Sequence, residues 1–550
     1  MLTIFHGYVP EVWDAYFKAG LISGNDGIRF CQTTRFDDTK KFNKMAAKGS
    51  TFYNIVNDLK FPLYVDRLQG GTYIDAYPYD QALVNEYKEL LGDNFWGFQM
   101  HEWLSNYMSD LKKLNGLYKK DWTVEKIKAH IKKDYPYPFL FLESMTAEEM
   151  ARYGKPESYE EFYGNMTDVY RKRQKIGELI PVDSALLMYA FEISSGAKRL
   201  LPEVGAQTSD ARVQICYARG MTRKEGLHFG VYYEPWGRPP RTKEHDYSTG
   251  RPECTACCYH REQKNEWGIG GSADFPFHTE GPNGGSSRSL QKRIFLYSYL
   301  SGAEFLSEEW GVCNVFYDWK DFELSPYGLV KKYLVDFMNK YPDVGAPVTP
   351  IGVIMPGDLP MLENVFKKPL YKPAFPYKSD AYTKVLEGVN ELFAKTAPML
   401  GNENITMVNC VYPDALDLLN DGFGDISKYD YLVDLTSDPE FARRHSNICE
   451  ISDVKNILRR TLPCYVEGDI HWLVNERAGG GYYLTVFNNG GVMRIIEDGE
   501  YTLPEADATV TVTFKNGASP VLCEGKANLE KDGDVYRLKV KAGDFAFIKF

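Results

Sequence analysis

The chain has 550 residues, 44% of them hydrophobic and 25% charged, which are ordinary values for a folded globular protein and exclude extensive disorder. That length exceeds what one hydrophobic core organises and calls for roughly two to four domains. A net charge of -11, with Lys and Arg scattered rather than gathered into a stripe, excludes nucleic acid as an expected partner.

Strand-length apolar runs alternate with amphipathic helical stretches over residues 1–345, the pattern of a parallel α/β fold. In chain order the strands are predicted at 2–7, 28–32, 62–67, 95–102, 139–143, 199–203, 227–234 and 303–309. Helical spacing of apolar residues marks 10–21, 38–47, 81–91, 209–220 and 326–341. Eight strands with intervening helices predict a (β/α)8 TIM barrel. An open doubly wound sheet is the rival, and it would carry a Gly-rich phosphate loop after its first strand, where this chain has His6-Gly7-Tyr8-Val9-Pro10.

A Pro-rich hinge at Pro347 and Pro350 opens a second unit, expected over 346–467, with strands at 351–356, 405–408 and 429–435 and a helix at 382–396. This pattern predicts a flavodoxin-like, amidotransferase-like α/β domain. Its strand Thr406-Met-Val-Asn-Cys410 lacks the G-x-C-x-G elbow of a working nucleophile, so a structural or assembly role is expected, with a surface for a homo-oligomer. Residues 468–550 hold only strands and turns, with Asn488-Asn-Gly490 after 481–487 and Asn516-Gly517 after 509–513 as hairpin signals. They predict a C-terminal β-sandwich.

The first residues enter a strand without a leader-like pattern, and no apolar run approaches the length of a membrane span, so no membrane is expected. Ten cysteines in a chain this long are not disulfide-dense. A cytoplasmic location is the expectation.

The active site of such a barrel lies at the carboxyl ends of its strands. Six of the eight predicted strands end in an acid: Asp66, Glu102, Glu143, Glu203, Glu234, and Glu308 or Glu309. Carboxylates that converge on one mouth raise one another's pKa, so that one is protonated while its neighbour is ionised. Glycosidic cleavage needs that division, one acid protonating the leaving oxygen and the other attacking the anomeric carbon or activating water. The 39 Tyr and 9 Trp supply flat apolar faces suited to sugar rings.

Two of these acids sit beside aromatic platforms, in Met100-His-Glu102-Trp103 and in Val231-Tyr-Tyr-Glu234-Pro-Trp236-Gly. Around them the sequence resembles the large clan of retaining (β/α)8-barrel glycoside hydrolases whose acid/base ends strand 4 and whose nucleophile ends strand 7. The resemblance implies that Glu102 is the acid/base and Glu234 the nucleophile. It also puts Trp310, in Ser307-Glu-Glu-Trp310, where that clan stacks a tryptophan on the sugar. The domain order is similar to glycoside hydrolase family 42.

The clan's Asn before the acid/base is His101 here, which leaves the sugar 2-hydroxyl to His101, to Asn106 or to neither. Glu203 and then Glu309 are the substitutes should one of the pair lie elsewhere. The remaining candidates for holding substrate are Asp66, Trp103, Glu143, Tyr232 and Trp236. A closed barrel with a long capping loop suggests a pocket and exo-action on oligosaccharides or glycoconjugates, and without a phosphate-binding loop or clustered metal ligands neither cofactor nor metal is expected. A barrel that binds sugar without hydrolysis and a transglycosidase are the alternatives.

The long connection after strand 7 carries Arg238, Arg241 and Arg251, then Cys254, Cys257, Cys258 and His260. Arg forks suit anionic sugars, but pairing with Glu244 and Glu253 is the preferred reading. Four ligands packed into 254–260 wrap a tetrahedron poorly, so reduced thiols are preferred over zinc. Metal-dependent amidohydrolases would need His-x-His ending strand 1, where only His6 stands.

Overall fold

The computed structural model describes the chain apart from residues 6, 8, 31–37, 66–78, 102–103, 105–106, 108–116, 118–119, 121, 135–145, 147, 150–155, 184–187, 206–210, 235–285, 309–314, 318–320, 360–361, 365–370, 374–379, 394–406, 408 and 496–498. At some positions within elements, His101, Asp183, Gly205 and Glu234 among them, the backbone alone is described.

Eight parallel strands close into a barrel in chain order. They are β1 (Leu2–Phe5), β2 (Asp26–Phe30), β3 (Leu63–Val65), β4 (Phe95–His101), β5 (Leu179–Asp183), β6 (Arg199–Gly205), β7 (His228–Glu234) and β8 (Phe305–Glu308). The ring is shut by β8 on β1, with Leu2 opposite Phe305 and Thr3 opposite Leu306. All strands run the same way, so their carboxyl ends share one rim.

Helices start where short polar side chains can satisfy their first amides. Asp80 accepts from Ala82 and Leu83 to open Gln81–Leu91. Ser325 accepts from Gly328 at 3.0 Å to open Pro326–Lys340, whose leading Pro needs no donor.

Seven of the barrel strands fall where the sequence predicts them, and the fifth does not. It is Leu179–Asp183, whereas the expected run 139–143 lies outside the described residues. Pro181 in mid-run removes a ladder donor and reads against a strand, yet Leu179, Ile180 and Val182 are buried and Pro181 pairs in register with Met100. The acid ending the fifth barrel strand is therefore Asp183, not Glu143.

One glycine sets the facing of β4. Gly97 has φ of +92°, and a Cβ there would stand 2.2 Å from the Glu178 carbonyl oxygen. The register with β3 slips at this point, from Leu63 opposite Phe95 to Tyr64 opposite Gly97. Trp96 lies in the barrel interior with Ile180 and Val182, whereas Phe98 and Met100 pack outward against the helices. Beyond this bulge Gln99 pairs with Ile180 and His101 with Val182, two residues of the interior cluster.

After the barrel come β9 (Val344–Pro347), β10 (Ile351–Met355) and a short hairpin of β11 (Leu362–Asn364) and β12 (Tyr371–Pro373). With β13 (Leu416–Asn420), β14 (Tyr431–Asp434) and β15 (Ile448–Cys449), β10 forms a parallel sheet in the order β13-β10-β14-β15. The strand beside β10 is thus Leu416–Asn420 and not the expected 405–408, of which only Met407 is described, outside any strand.

The remaining strands are β16 (Cys464–Glu467), β17 (His471–Arg477), β18 (Tyr482–Phe487), β19 (Val492–Ile495), β20 (Gly499–Thr502), β21 (Ala508–Phe514), β22 (Val521–Glu524), β23 (Ala527–Asp532), β24 (Val535–Val540) and β25 (Phe545–Lys549). They form two antiparallel sheets, β16-β21-β24-β23 and β22-β25-β18-β17-β9, beside the hairpin β19-β20. Asn516 and Gly517 do turn, at φ of 58° and 63°, but β21 and β22 lie in different sheets, so the turn crosses between sheets instead of closing a hairpin.

The helix Ala211–Met221 joins the barrel to the parallel sheet and is buried along its whole length. Its Arg219 reaches Asp417 at 2.5 Å and Asp414 at 2.9 Å, and Arg223, just beyond the helix, reaches Asp417 at 2.7 Å. Cys216 donates to Asp414 at 3.0 Å, and His471 of β17 stands 3.6 Å from the same carboxylate. Burial pushes the Asp414 carboxyl up, but Arg219, His471 and Arg212 together outweigh it and hold it well below the usual carboxylate range.

Burial also holds His471 below its ordinary value, despite the pull of Asp414. An unfolded histidine takes up a proton near pH 6.5, and the buried one only at lower pH, so the unfolded state binds more protons in between. The contribution to stability is full above that pH and is lost as pH falls below it. Denaturant titrations at about pH 7.5 and about pH 5.5 are expected to show a smaller loss on acidification in His471→Gln than in the unaltered protein. An equal loss in both would leave His471 without this role.

Candidate active site

The rim formed by the carboxyl ends of the strands is where sequence and fold coincide. β4 ends at His101, and Glu102 is the next residue in the chain. β7 ends at Glu234, paired in register with Gly205 at the end of β6. The positions Asp66, Glu102, Trp103, Glu143, Trp236, Glu309 and Trp310 lie outside the described residues, as do Cys254, Cys257, Cys258 and His260. Among the described residues no group of three or more His, Cys, Asp or Glu could hold a metal ion.

One step below the rim the barrel interior is polar. Glu203 pairs in register with Tyr232, and Tyr232 with Ser307, so three adjacent strands contribute to one layer. Glu203 and Tyr232 are both fully buried. From the other side of the ring Arg29 donates to Ser307 Oγ at 3.2 Å and the Tyr64 hydroxyl donates to it at 2.7 Å. The Arg29 guanidinium lies 5.3 Å from the centre of the Tyr232 ring, within cation–π range.

This layer has a chemical consequence. A guanidinium and a carboxylate taken out of water are retained only where neighbours compensate them. The floor beneath the rim is therefore preorganised, with its rings and charges fixed by strand register and not by flexible loops. Glu203 stands one register step deeper than Glu234 and has no exposed surface.

The choice between Glu308 and Glu309 as the acid ending the eighth strand is narrowed by pairing. Glu308 accepts from Lys331 at 2.8 Å and from Gln291 at 3.4 Å, both on helices outside the barrel wall. Lys331 also donates to the Ile4 carbonyl at 3.1 Å, which ties its helix to β1. Glu308 thus belongs to the packing of wall against helices.

Sequence reasoning missed Arg29, Tyr64, Gln99 and Ser307. The signal was present as polar residues within apolar strands, such as Arg29 between Ile28 and Phe30. Counting back by two from Asp66 and from Glu309 would have reached Tyr64 and Ser307.

No family model and no curated protein matches the chain. Solved structures resemble it over its whole length. The catalytic module of a family 98 glycoside hydrolase from Streptococcus pneumoniae TIGR4, in complex with the LewisY pentasaccharide, is 9% identical with TM-score 0.42, covering 100% of this chain and 98% of that one. A β-galactosidase from the psychrophilic Marinomonas ef1 is 10% identical with TM-score 0.37, covering 100% of both chains. A β-galactosidase from the Antarctic haloarchaeon Halorubrum lacusprofundi is 9% identical with TM-score 0.39, covering 100% of this chain and 99% of that one. With scores this low, what those proteins bind or cleave says nothing of this one.

Ser307 is the common acceptor of the interior layer, so Ser307→Ala is expected to cost about 1–3 kcal/mol of stability, the usual range when buried donors lose a partner. Equilibrium denaturation checks it. A change below about 0.5 kcal/mol, the scale of an unremarkable surface substitution, would mean that the layer does not depend on this hydroxyl.

Proposed function

We propose that the protein is a glycoside hydrolase, exo-acting and retaining, that cleaves oligosaccharides or glycoconjugates at the rim of its barrel. The observation that carries this reading is the strand register. It ends β4 at His101 and β7 at Glu234 on the same rim of one closed ring, and Glu102 follows His101 in the chain.

In the proposed reaction Glu102 protonates the departing glycosidic oxygen while Glu234 attacks the anomeric carbon, giving a glycosyl-enzyme. Water, deprotonated by Glu102, then releases the sugar with retained configuration. Tyr232 and the Arg29 layer support this as a fixed floor, and Trp103, Trp236 and Trp310 are the rings proposed to stack on the sugar. His101, Asp66 and Glu309 are proposed to serve its hydroxyls, with Glu203 part of the buried floor beneath them.

The β13-β10-β14-β15 sheet fits a flavodoxin-like strand order, in keeping with a non-catalytic assembly unit and a resemblance to family 42. The reading takes the enzyme to act in the cytoplasm on small imported substrates.

Glu234→Gln is expected to lower kcat by about 10⁴-fold or more, because an amide does not form the glycosyl-enzyme. Glu102→Gln is expected to lose about 10²- to 10⁴-fold on natural glycosides, and far less on aryl glycosides whose leaving groups need no proton. A panel of aryl glycosides of both anomeric configurations, run on the purified protein and both variants, measures this. Near-normal turnover by both variants would refute the assignment.

A further inference from the structure

The hairpin β19-β20 belongs to the region after the barrel, yet it ends on the barrel helix that follows β7. That helix, Arg288–Leu300, opens with Ser287, whose Oγ accepts from the Leu290 amide at 2.8 Å. The two preceding amides are taken by a single carboxylate. Glu500 of β20 accepts from the Arg288 amide at 2.6 Å and from the Ser289 amide at 3.0 Å, one bond to each oxygen. An anion on the first turn also suits the positive end of the helix dipole.

The same short stretch is bonded to the end of β7. The Tyr233 hydroxyl and Ser286 Oγ share a hydrogen bond, and the Tyr327 hydroxyl donates to the Ser286 carbonyl at 3.1 Å. Ser286 and Ser287 are fully buried, and the Arg288 guanidinium stacks 3.4 Å from the Tyr327 ring centre. Ser289 Oγ donates to the Gly543 carbonyl, a second tie to the region after the barrel. Gly543 leaves no slack there, since a Cβ on it would meet Val492 at 2.1 Å and Ser289 Oγ at 2.7 Å.

We infer that Glu500 is a positioning residue for Glu234. It fixes the first turn of Arg288–Leu300, that turn fixes Ser286, and Ser286 holds Tyr233, the residue before Glu234 on β7. The carboxylate thus acts from outside the barrel on the strand end that carries the nucleophile. This inference rests on Glu234 being the nucleophile, whereas the linkage from Glu500 to Tyr233 does not.

The experiment has an arm for each. Hydrogen exchange of the intact chain is compared between the unaltered protein, Glu500→Gln and Tyr233→Phe, since a carboxamide offers one acceptor oxygen where the carboxylate offers two. Exchange of the Arg288 and Ser289 amides is expected to quicken about tenfold in Glu500→Gln, and that of the peptide ending at Glu234 to quicken with it. Change confined to residues 288–290 would overturn the linkage. Steady-state kinetics form the second arm, with kcat falling about tenfold in each variant while KM stays within about twofold. The double variant is expected to be no worse than the worse single one, as members of one chain of contacts are not additive.

Quickened exchange at β7 with unchanged kcat in an active enzyme would overturn the positioning role. A protein inactive on every glycoside would refute the glycosidase reading, and the exchange result would still decide the linkage.

Discussion

The fold depends on a charge that has no route to water. Arg219 is 4% exposed, Asp414 and Asp417 not at all, and the three lie where the helix Ala211–Met221 meets β13. Removing one member of such a pair leaves a buried charge uncompensated, which costs about 3–5 kcal/mol. What the cluster specifies is register. A helix slid by one turn along β13 would part Arg219 from Asp417, and Asp417 from Tyr429 and Thr349, which donate to it at 2.9 Å and 3.1 Å. Gly220 makes the same demand sterically, since a Cβ there would stand 2.3 Å from the Leu418 carbonyl oxygen. The helix also packs on β6 and β7, so the strands that carry Glu203 and Glu234 are set by a sheet outside the barrel.

The barrel wall is consequently two walls. The helices beside β2, β3 and β4 share one core with Phe30, Val65, Phe98 and Met100. The outward residues of β6, β7 and β8, such as Val204, Tyr233 and Leu306, belong instead to a core that continues through β10 and β13 into β17, β18 and β25. Between the walls lies a small interior cluster, Ile4, Tyr64, Trp96, Ile180, Val182, Leu201, Tyr232 and Phe305, capped on the rim side by the polar layer around Ser307.

How much of this was legible in the sequence follows from which constraints are local. Period-two and helical spacing are local, and they found seven barrel strands and helices such as Gln81–Leu91, Ala211–Met221 and Pro326–Lys340, though not Tyr159–Gln174 or Arg288–Leu300. Bulges and remote partners are not. Nothing near Gly97 announces that β4 changes facing there, because the close neighbour is the Glu178 carbonyl just before β5. Asp417 splits an apolar run and reads as a turn until Arg219 and Arg223, some two hundred residues earlier, are found beside it. Pro181 hid β5 for a similar reason, since its missing donor matters only when its neighbours are known. At the site, the ends of β4 and β7 were legible because strand ends are local. The Arg29, Tyr64 and Ser307 layer was not, because it joins β2, β3 and β8 across the ring.

The division of the wall bears on how the proposed pair would be held. β4, which leads to Glu102, leans on the first core, and β7, which ends in Glu234, leans on the second. Their separation is therefore not fixed by either core alone. It is fixed by what passes between them, namely the ladder through β5 and β6, the interior cluster, and the bonds from Arg29 and Tyr64 to Ser307. Two carboxylates that divide acid and nucleophile roles tolerate little change in spacing. A rigid, fully buried floor joining both walls is a physical solution to that requirement, and it explains why charged and aromatic groups occupy an interior that branched aliphatic side chains would otherwise fill.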